Sequence, residues 1–100
     1  MDKDKMNERL LKTSVWMRSN NFYIRMKAEL LQVFLRKELL NIEMMSPSRA
    51  YTKKKEMANM RKQHNAMWVY CNVLLKRCYD IWADFDFKQI LTELDEVELC

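Results

Sequence analysis

The fold is decided by residues 57–85, which read MANMRKQHNAMWVYCNVLLKRCYDIWADF. One set of residues in this stretch recurs at alternating intervals of three and four: Met57, Met60, His64, Met67, Cys71, Leu74, Cys78, Ile81 and Phe85. This spacing is the heptad pattern that aligns side chains along one side of an α-helix. The pattern predicts one long helix over about residues 48–83, with an apolar stripe along it.

A second row of large apolar residues, Trp68, Leu75 and Trp82, repeats every seven positions beside the first. Together the two rows make a stripe wider than the seam of a two-stranded coiled coil. A chain of 100 residues builds only a modest core, and association is one way to stabilise it. We therefore predict that the long helix packs inside a bundle and that a second copy shares its stripe.

The composition narrows the class of fold. The chain contains no Gly and one Pro, with 49% hydrophobic and 32% charged residues. Without Gly, a P-loop or a Rossmann-type phosphate loop is excluded, because each needs positive φ or close backbone approach. The abundant Leu, Met, Lys, Glu and Arg favour helices. The predicted fold is all-α, a dimeric helical bundle of three to four helices with one long helix.

The segment before the long helix predicts two further helices. The first covers residues 4–19 and has only a weak apolar stripe. The second covers about residues 21–45 and begins at Asn20 or Asn21, either of which can cap it. Two apolar rows share this second helix, so we expect burial over most of its circumference as the central helix of the core.

The helix boundaries at both ends of the long helix have their own signals. Ser46 and Pro47 suit the N-cap and first position of the long helix. Asp84 or Asp86 can cap a last short helix. The prediction is a single helical domain over residues 1–100, in which residues 1–20 form a weakly packed helix and residues 21–98 form the core.

Charge divides the chain unevenly. Residues 1–79 carry a net charge of +10 and residues 80–100 carry −6, which together give +4. The densest basic cluster is Arg49, Lys53, Lys54, Lys55, Arg61 and Lys62. Two interpretations stay open: a patch that contacts nucleic acid or acidic lipid, or a solvated surface that partly complements the chain's own acidic end.

Little in the sequence points to catalysis or metal binding. His64, Cys71 and Cys78 share one heptad position, but successive members lie about 10 Å apart along a helix, too far to share a zinc ion. Three cysteines without a CxxC pair suggest reduced thiols in an intracellular compartment. The sequence contains no run of 18 or more uncharged apolar residues, so we expect no membrane-spanning helix. We expect no enzymatic activity, metal, cofactor or small-molecule substrate.

The second half of the chain resembles a LisH motif. Residues 74–87 read LLKRCYDIWADFDF and are followed by ILTE at residues 90–93, so Tyr79, Phe85, Phe87 and Leu91 stand at the positions that the motif fills with Tyr, two aromatic residues and an aliphatic anchor. Upstream, residues 24–35 (IRMKAELLQVFL) look like the helix that precedes LisH in the FOP and oral-facial-digital syndrome group of centrosomal proteins. The resemblance implies a helical homodimer that acts as a targeting and scaffolding module at centrioles or basal bodies.

The sequence therefore predicts a non-enzymatic protein–protein interaction and homodimerisation module, cytoplasmic and, by the LisH resemblance, at the centrosome or basal body. The predicted self-association residues are Met57, Met60, His64, Met67, Trp68, Cys71, Leu74, Leu75, Cys78, Tyr79, Ile81, Trp82, Phe85, Phe87 and Leu91. The alternatives are a small basic helical nucleic-acid-binding protein, which would use the Arg49–Lys62 cluster, and a subunit of a helical hetero-oligomer.

Overall fold

The protein is all-helical, as the sequence predicts. The computed structural model describes residues 3–46 and 53–99, and within those ranges it contains four helices and no strand. The helices are α1 (Lys3–Met17), α2 (Phe22–Met44), α3 (Lys54–Ile81) and α4 (Phe87–Asp95). Within the same ranges, no helix combines the length and the apolar character that crossing a bilayer requires.

Two of the predicted caps are present. The Asn21 side chain accepts hydrogen bonds from the backbone N–H groups of Tyr23 and Ile24, at 2.9 and 3.4 Å, and so starts α2. The Asp86 carboxylate accepts from the N–H of Lys88 at 3.0 Å and starts α4. Each cap satisfies backbone donors that lack a partner in the first helical turn, so a short polar side chain fixes where the helix begins.

The start of α3 differs from the prediction. The predicted helix begins near residue 48, whereas the observed one begins at Lys54 after Lys53 in an extended conformation. Pro47, and Arg49 in the basic cluster, lie outside the described residues. The backbone of Lys53, with φ −57° and ψ 141°, lies outside the helical region, so the helix begins at the next residue. At the other end, α3 stops at Ile81 rather than at residue 83.

Helix α2 is the centre of the fold. Both α1 and α3 pack along it, and between Ile24 and Ile42 only Arg36 is exposed. The two wide apolar rows of its sequence make this central position possible, because a helix that is apolar over most of its circumference is stable only when neighbours cover several sides. The N-terminal end of α2 meets the C-terminal end of α3, where the rings of Tyr23 and Trp82 are in contact.

Helix α1 is packed firmly, so the prediction of a weakly packed N-terminal helix is wrong. Met6 is 1% exposed and Thr13 is fully buried. The Arg9 guanidinium donates two hydrogen bonds to the Asp95 carboxylate, at 2.9 and 2.8 Å, and Lys12 Nζ donates to the Asp95 carbonyl oxygen at 2.7 Å. These contacts join residues more than eighty positions apart, so the apolar pattern of α1 alone does not reveal them.

Helix α4 closes the core from the C-terminal side. Ile90 and Leu94 are buried, and the Phe87 ring meets the Phe34 ring of α2 edge to face at 4.8 Å. One continuous hydrophobic cluster draws residues from all four helices. The core therefore forms within one chain, and the outer side of α3 is not needed to complete it.

Candidate interaction surface

The predicted heptad row of α3 contributes mainly to the protein's own core. Cys71, Leu74 and Cys78 are buried, and they belong to the hydrophobic cluster that includes Leu31 and Leu35 of α2. Because α2 covers these three side chains, a second copy cannot contact them without separating α2 from α3. Their predicted role in self-association is therefore replaced by a role in the core.

The other predicted self-association residues fall into two groups. The half-buried group is Met57, Met60, His64, Met67, Leu75, Trp82, Phe85, Phe87 and Leu91, of which the last five pack against the core. The exposed group is Trp68, Tyr79 and Ile81. A single chain thus leaves part of the broad apolar stripe uncovered, with Trp68 54% exposed.

The geometry of a straight helix explains this division. A seven-residue repeat falls short of two full turns by about 20°, so a heptad row drifts around the helix as it advances. In the row of Trp68, Leu75 and Trp82, the drift carries each successive member closer to the centre of the buried side. Trp68 is accordingly exposed, whereas Leu75 and Trp82 are half-buried against the core. The same drift carries Ile81 off the buried side, and it is exposed.

Aromatic side chains cluster at the C-terminal end of α3. The Trp82 ring lies 5.4 Å from Tyr23 and 6.0 Å from Phe85, and the Tyr79 ring lies 4.9 Å from Phe85. Lys27 Nζ lies over Trp82, 5.5 Å from the ring centroid. Two of the predicted LisH-like positions, Tyr79 and Phe85, therefore make contacts within the chain and hold the turn between α3 and α4.

The largest exposed apolar side chains of α3 lie on the side away from α2 and along its edges. They are Trp68, Val69, Tyr70, Val73, Tyr79 and Ile81. The heptad row does not include Val69, Tyr70 or Val73, although the sequence carries a separate signal for two of them. Val69 and Val73 belong to a second heptad-spaced row, whose other members are small or charged and therefore conceal it.

Tyr70 marks the edge between the buried and the exposed sides of α3. Its hydroxyl group donates a hydrogen bond to the Glu29 carboxylate of α2, and this hydrogen bond raises the pKa of Tyr70. Beside it, Val33, Arg36, Ala66 and Met67 line a shallow groove of about 250 Å³ between the two helices. The hydrogen bond joins α3 to α2 and leaves the ring itself half-exposed.

The thiols of Cys71 and Cys78 are buried in the core. Burial raises the pKa of both Cys71 and Cys78, which keeps them in the protonated, unreactive form. His64 is half-buried on α3. In the part of the chain that the structure describes, no three His, Cys, Asp or Glu side chains are grouped closely enough to bind a metal ion.

The basic cluster lies at the N-terminal end of α3. Its described members, Lys53, Lys54, Lys55, Arg61 and Lys62, are all exposed. None of these five makes an ion pair with any described residue. The arrangement is a set of solvated cations on roughly two turns of helix, separated by most of the length of α3 from the acidic C-terminal segment.

Comparison of this chain with protein-family models, with curated proteins and with solved structures finds no match.

Proposed function

We propose that this protein is a homodimerisation module that binds a second copy through the exposed side of α3. The single observation that supports the proposal is the set of large apolar side chains that α3 leaves exposed between residues 68 and 81 after the core is complete. Val69 is 63% exposed and Val73 is 46% exposed. The proposal assigns the chain no catalytic activity.

The chemistry of this surface suits protein binding. Trp and Tyr are enriched at protein interfaces, where they bury a large area at a small cost in side-chain entropy. Here Trp68, Tyr70 and Tyr79 are exposed on α3 together with the two valines, and exposed charged residues stand among them in the sequence. An apolar strip with a polar border is the usual composition of an interface that forms between folded subunits.

The test is sedimentation equilibrium of the full chain over roughly 1–500 µM, a range that brackets a weak dimer. We expect a monomer–dimer equilibrium that Val69→Asp shifts to monomer, because a carboxylate would be buried at the contact. Leu11→Asp is the matched control, since Leu11 is equally exposed, at 61%, but lies on α1. A wild-type chain that stays monomeric over the whole range contradicts the proposal.

A second candidate function is nucleic-acid binding by the N-terminal end of α3. The observation in its favour is the set of five exposed cations that form no ion pair with any described residue, because such a set neutralises phosphates without reading sequence. The test is filter binding of duplex DNA and RNA as a function of salt. The triple variant Lys53→Ala, Lys54→Ala, Lys55→Ala should reduce the dependence of the binding affinity on salt concentration, whereas Lys88→Ala on α4 should not. Absence of binding at low salt eliminates this function.

The centrosomal scaffold role implied by the LisH resemblance is also a proposal, as is a subunit role in a hetero-oligomer. The first is tested by imaging a tagged full chain against a centriole marker, with Phe87→Ser as the disrupted variant. The second is tested by expressing the chain without a partner. A chain that is unfolded until a partner is added supports the hetero-oligomer against the homodimer.

A further inference from the structure

A second heptad-spaced row runs along the outer side of α3, and one of its members, Ala66, also lines the groove toward α2. Its members are Lys62, Ala66, Val69, Val73, Lys76 and Asp80, and we call this row the outward stripe. The intervals are four, three, four, three and four, and all six residues are exposed. Each residue of the outward stripe lies five positions before a residue of the heptad row that contains Cys71, Leu74 and Cys78. The stripe is therefore turned by about 140° around the helix from that row.

The outward stripe has a symmetry that specifies how a partner would bind. Its apolar residues lie in the middle, with a cation at one end and a carboxylate at the other. When the stripe is laid against a reversed copy of itself centred on residue 71, Val69 faces Val73, Ala66 faces Lys76 and Lys62 faces Asp80. Each pair occurs twice, as a two-fold axis requires.

Resting on the self-association proposed above, we propose that the occupant of the outward stripe is a second copy of this chain, in antiparallel orientation. Lys62 would then form an ion pair with Asp80 of the partner subunit at both ends of the contact. Val69 and Val73 would interdigitate with their counterparts in the middle, as a and d residues do in antiparallel helix pairs.

Helix geometry places the two charges correctly for this pairing. Lys62 and Asp80 are 18 residues apart, which is about five complete turns and a rise of about 27 Å. Both side chains therefore project on the same side of α3, one near each end of the stripe. Neither residue has an ion-pair partner among the described residues, so each is available to a second molecule.

Electrostatics decides between the two orientations. In a parallel pair, Lys62 would face Lys62, Lys76 would face Lys76 and Asp80 would face Asp80 across the axis, and like charges opposed in this way are unfavourable. In the antiparallel pair, the end charges attract. Lys76 then lies over the small Ala66 of the partner subunit, where its methylene stem covers apolar surface while the ammonium stays in water.

The remaining charge distribution agrees with this orientation. The basic cluster is at the N-terminal end of α3 and the acidic segment of residues 80–98 is at its C-terminal end. An antiparallel partner brings the basic end of each copy toward the acidic end of the other. A parallel partner would bring the two basic ends together.

The test is charge reversal measured by sedimentation equilibrium. Lys62→Glu and Asp80→Lys alone should each raise the dimer dissociation constant about tenfold, because each replaces two attractive pairs by two repulsive ones. The double variant, which swaps the charges, should return the constant to near the wild-type value. Arg61→Glu is the control, since it makes the same charge change one residue away and off the stripe.

The outcomes separate this inference from the proposed function. A wild-type chain that is monomeric contradicts the proposed function itself. A dimer that is unaffected by either reversal, or that the double variant does not restore, overturns the antiparallel register while leaving self-association standing. Far-UV circular dichroism checks that each variant is folded, and Lys62→Gln, which removes the attraction without adding repulsion, should fall between wild type and Lys62→Glu.

Discussion

Replacing Leu74 by Ala tests whether the heptad row of α3 belongs to the core of one chain. Leu74 is 1% exposed, so nearly all of the apolar area that the substitution removes is buried in the monomer. Three carbon atoms at about 0.8 kcal/mol each give about 2.4 kcal/mol. The unfilled cavity adds to this, and the expected loss in the free energy of unfolding is about 3 kcal/mol.

The measurement is urea denaturation followed by far-UV circular dichroism, at a protein concentration low enough to dissociate the proposed dimer. Under that condition the loss belongs to the single chain. Val73→Ala is the adjacent control: Val73 faces away from α2, so its replacement should change the free energy of unfolding by no more than about 0.5 kcal/mol.

The reasoning is refuted if Leu74→Ala costs less than about 1 kcal/mol in the monomer, or if its cost appears only when the protein is concentrated enough to associate. Either result would mean that a second molecule, and not α2, covers the heptad row. The assignment of the outward stripe as the contact surface would then fail as well, because the buried row would be the interface.

Four further predictions concern other parts of the fold. The hydrogen bond from Arg9 holds the pKa of Asp95 below its ordinary value of 3.8. The ion pair should therefore stabilise the protein by about 1 kcal/mol above that pH, and this stabilisation should be lost as the pH falls toward the folded-state pKa. Asp95→Asn should flatten this pH dependence, which is measured by following unfolding during an acid titration. Phe87→Ala should lower the free energy of unfolding by about 2 kcal/mol in urea, since the ring is half-buried against α2; an unchanged midpoint would show that α4 does not stabilise the core. Asn21→Ala should cost about 1 kcal/mol through the lost cap, and Asn21→Asp should retain most of it. Cys78 should react with a thiol reagent only at the rate of unfolding; reaction at the rate of a free thiol would show that the site is open.

The helices and their caps were predictable because their signals are local. Asn21 and Asp86 each supply a short acceptor directly before an apolar-periodic segment, and the cap rule needs no information from the rest of the chain. The late start of α3 was not predictable from Ser46 and Pro47, since a proline permits a helix to begin without requiring it. The packing of α1 depends on hydrogen bonds to Asp95, so it cannot be predicted from the sequence of α1 without the position of α4.

The candidate interaction surface is harder to predict than the helices. The apolar periodicity of a helix indicates that one of its sides is covered, but it does not identify the element or molecule that covers it. The row containing Cys71 and Leu74 has the spacing expected of either an intrachain helix pair or a dimer seam, and α2 decides in favour of the first. The outward stripe has the same spacing. Because Lys62 and Asp80 at its ends are charged, the row contains too few apolar residues to be recognised by its hydrophobicity. The sequence signal for such a stripe is a heptad row that carries opposite charges at its two ends.

The composition of the outward stripe bears on the order in which folding and association occur. Only Ala66, Val69 and Val73 are apolar, fewer than an isolated pair of helices needs to hold together in water. Helix α3 must therefore be held as a helix by α2 before its outer side can meet a partner. The core cluster, which includes Leu74 and Cys78, forms without the stripe, so the monomer is the folded unit and the proposed association would follow folding. Under this order, weakening the core by Leu74→Ala should weaken association, whereas weakening association by Lys62→Glu should leave the stability of the dilute protein unchanged.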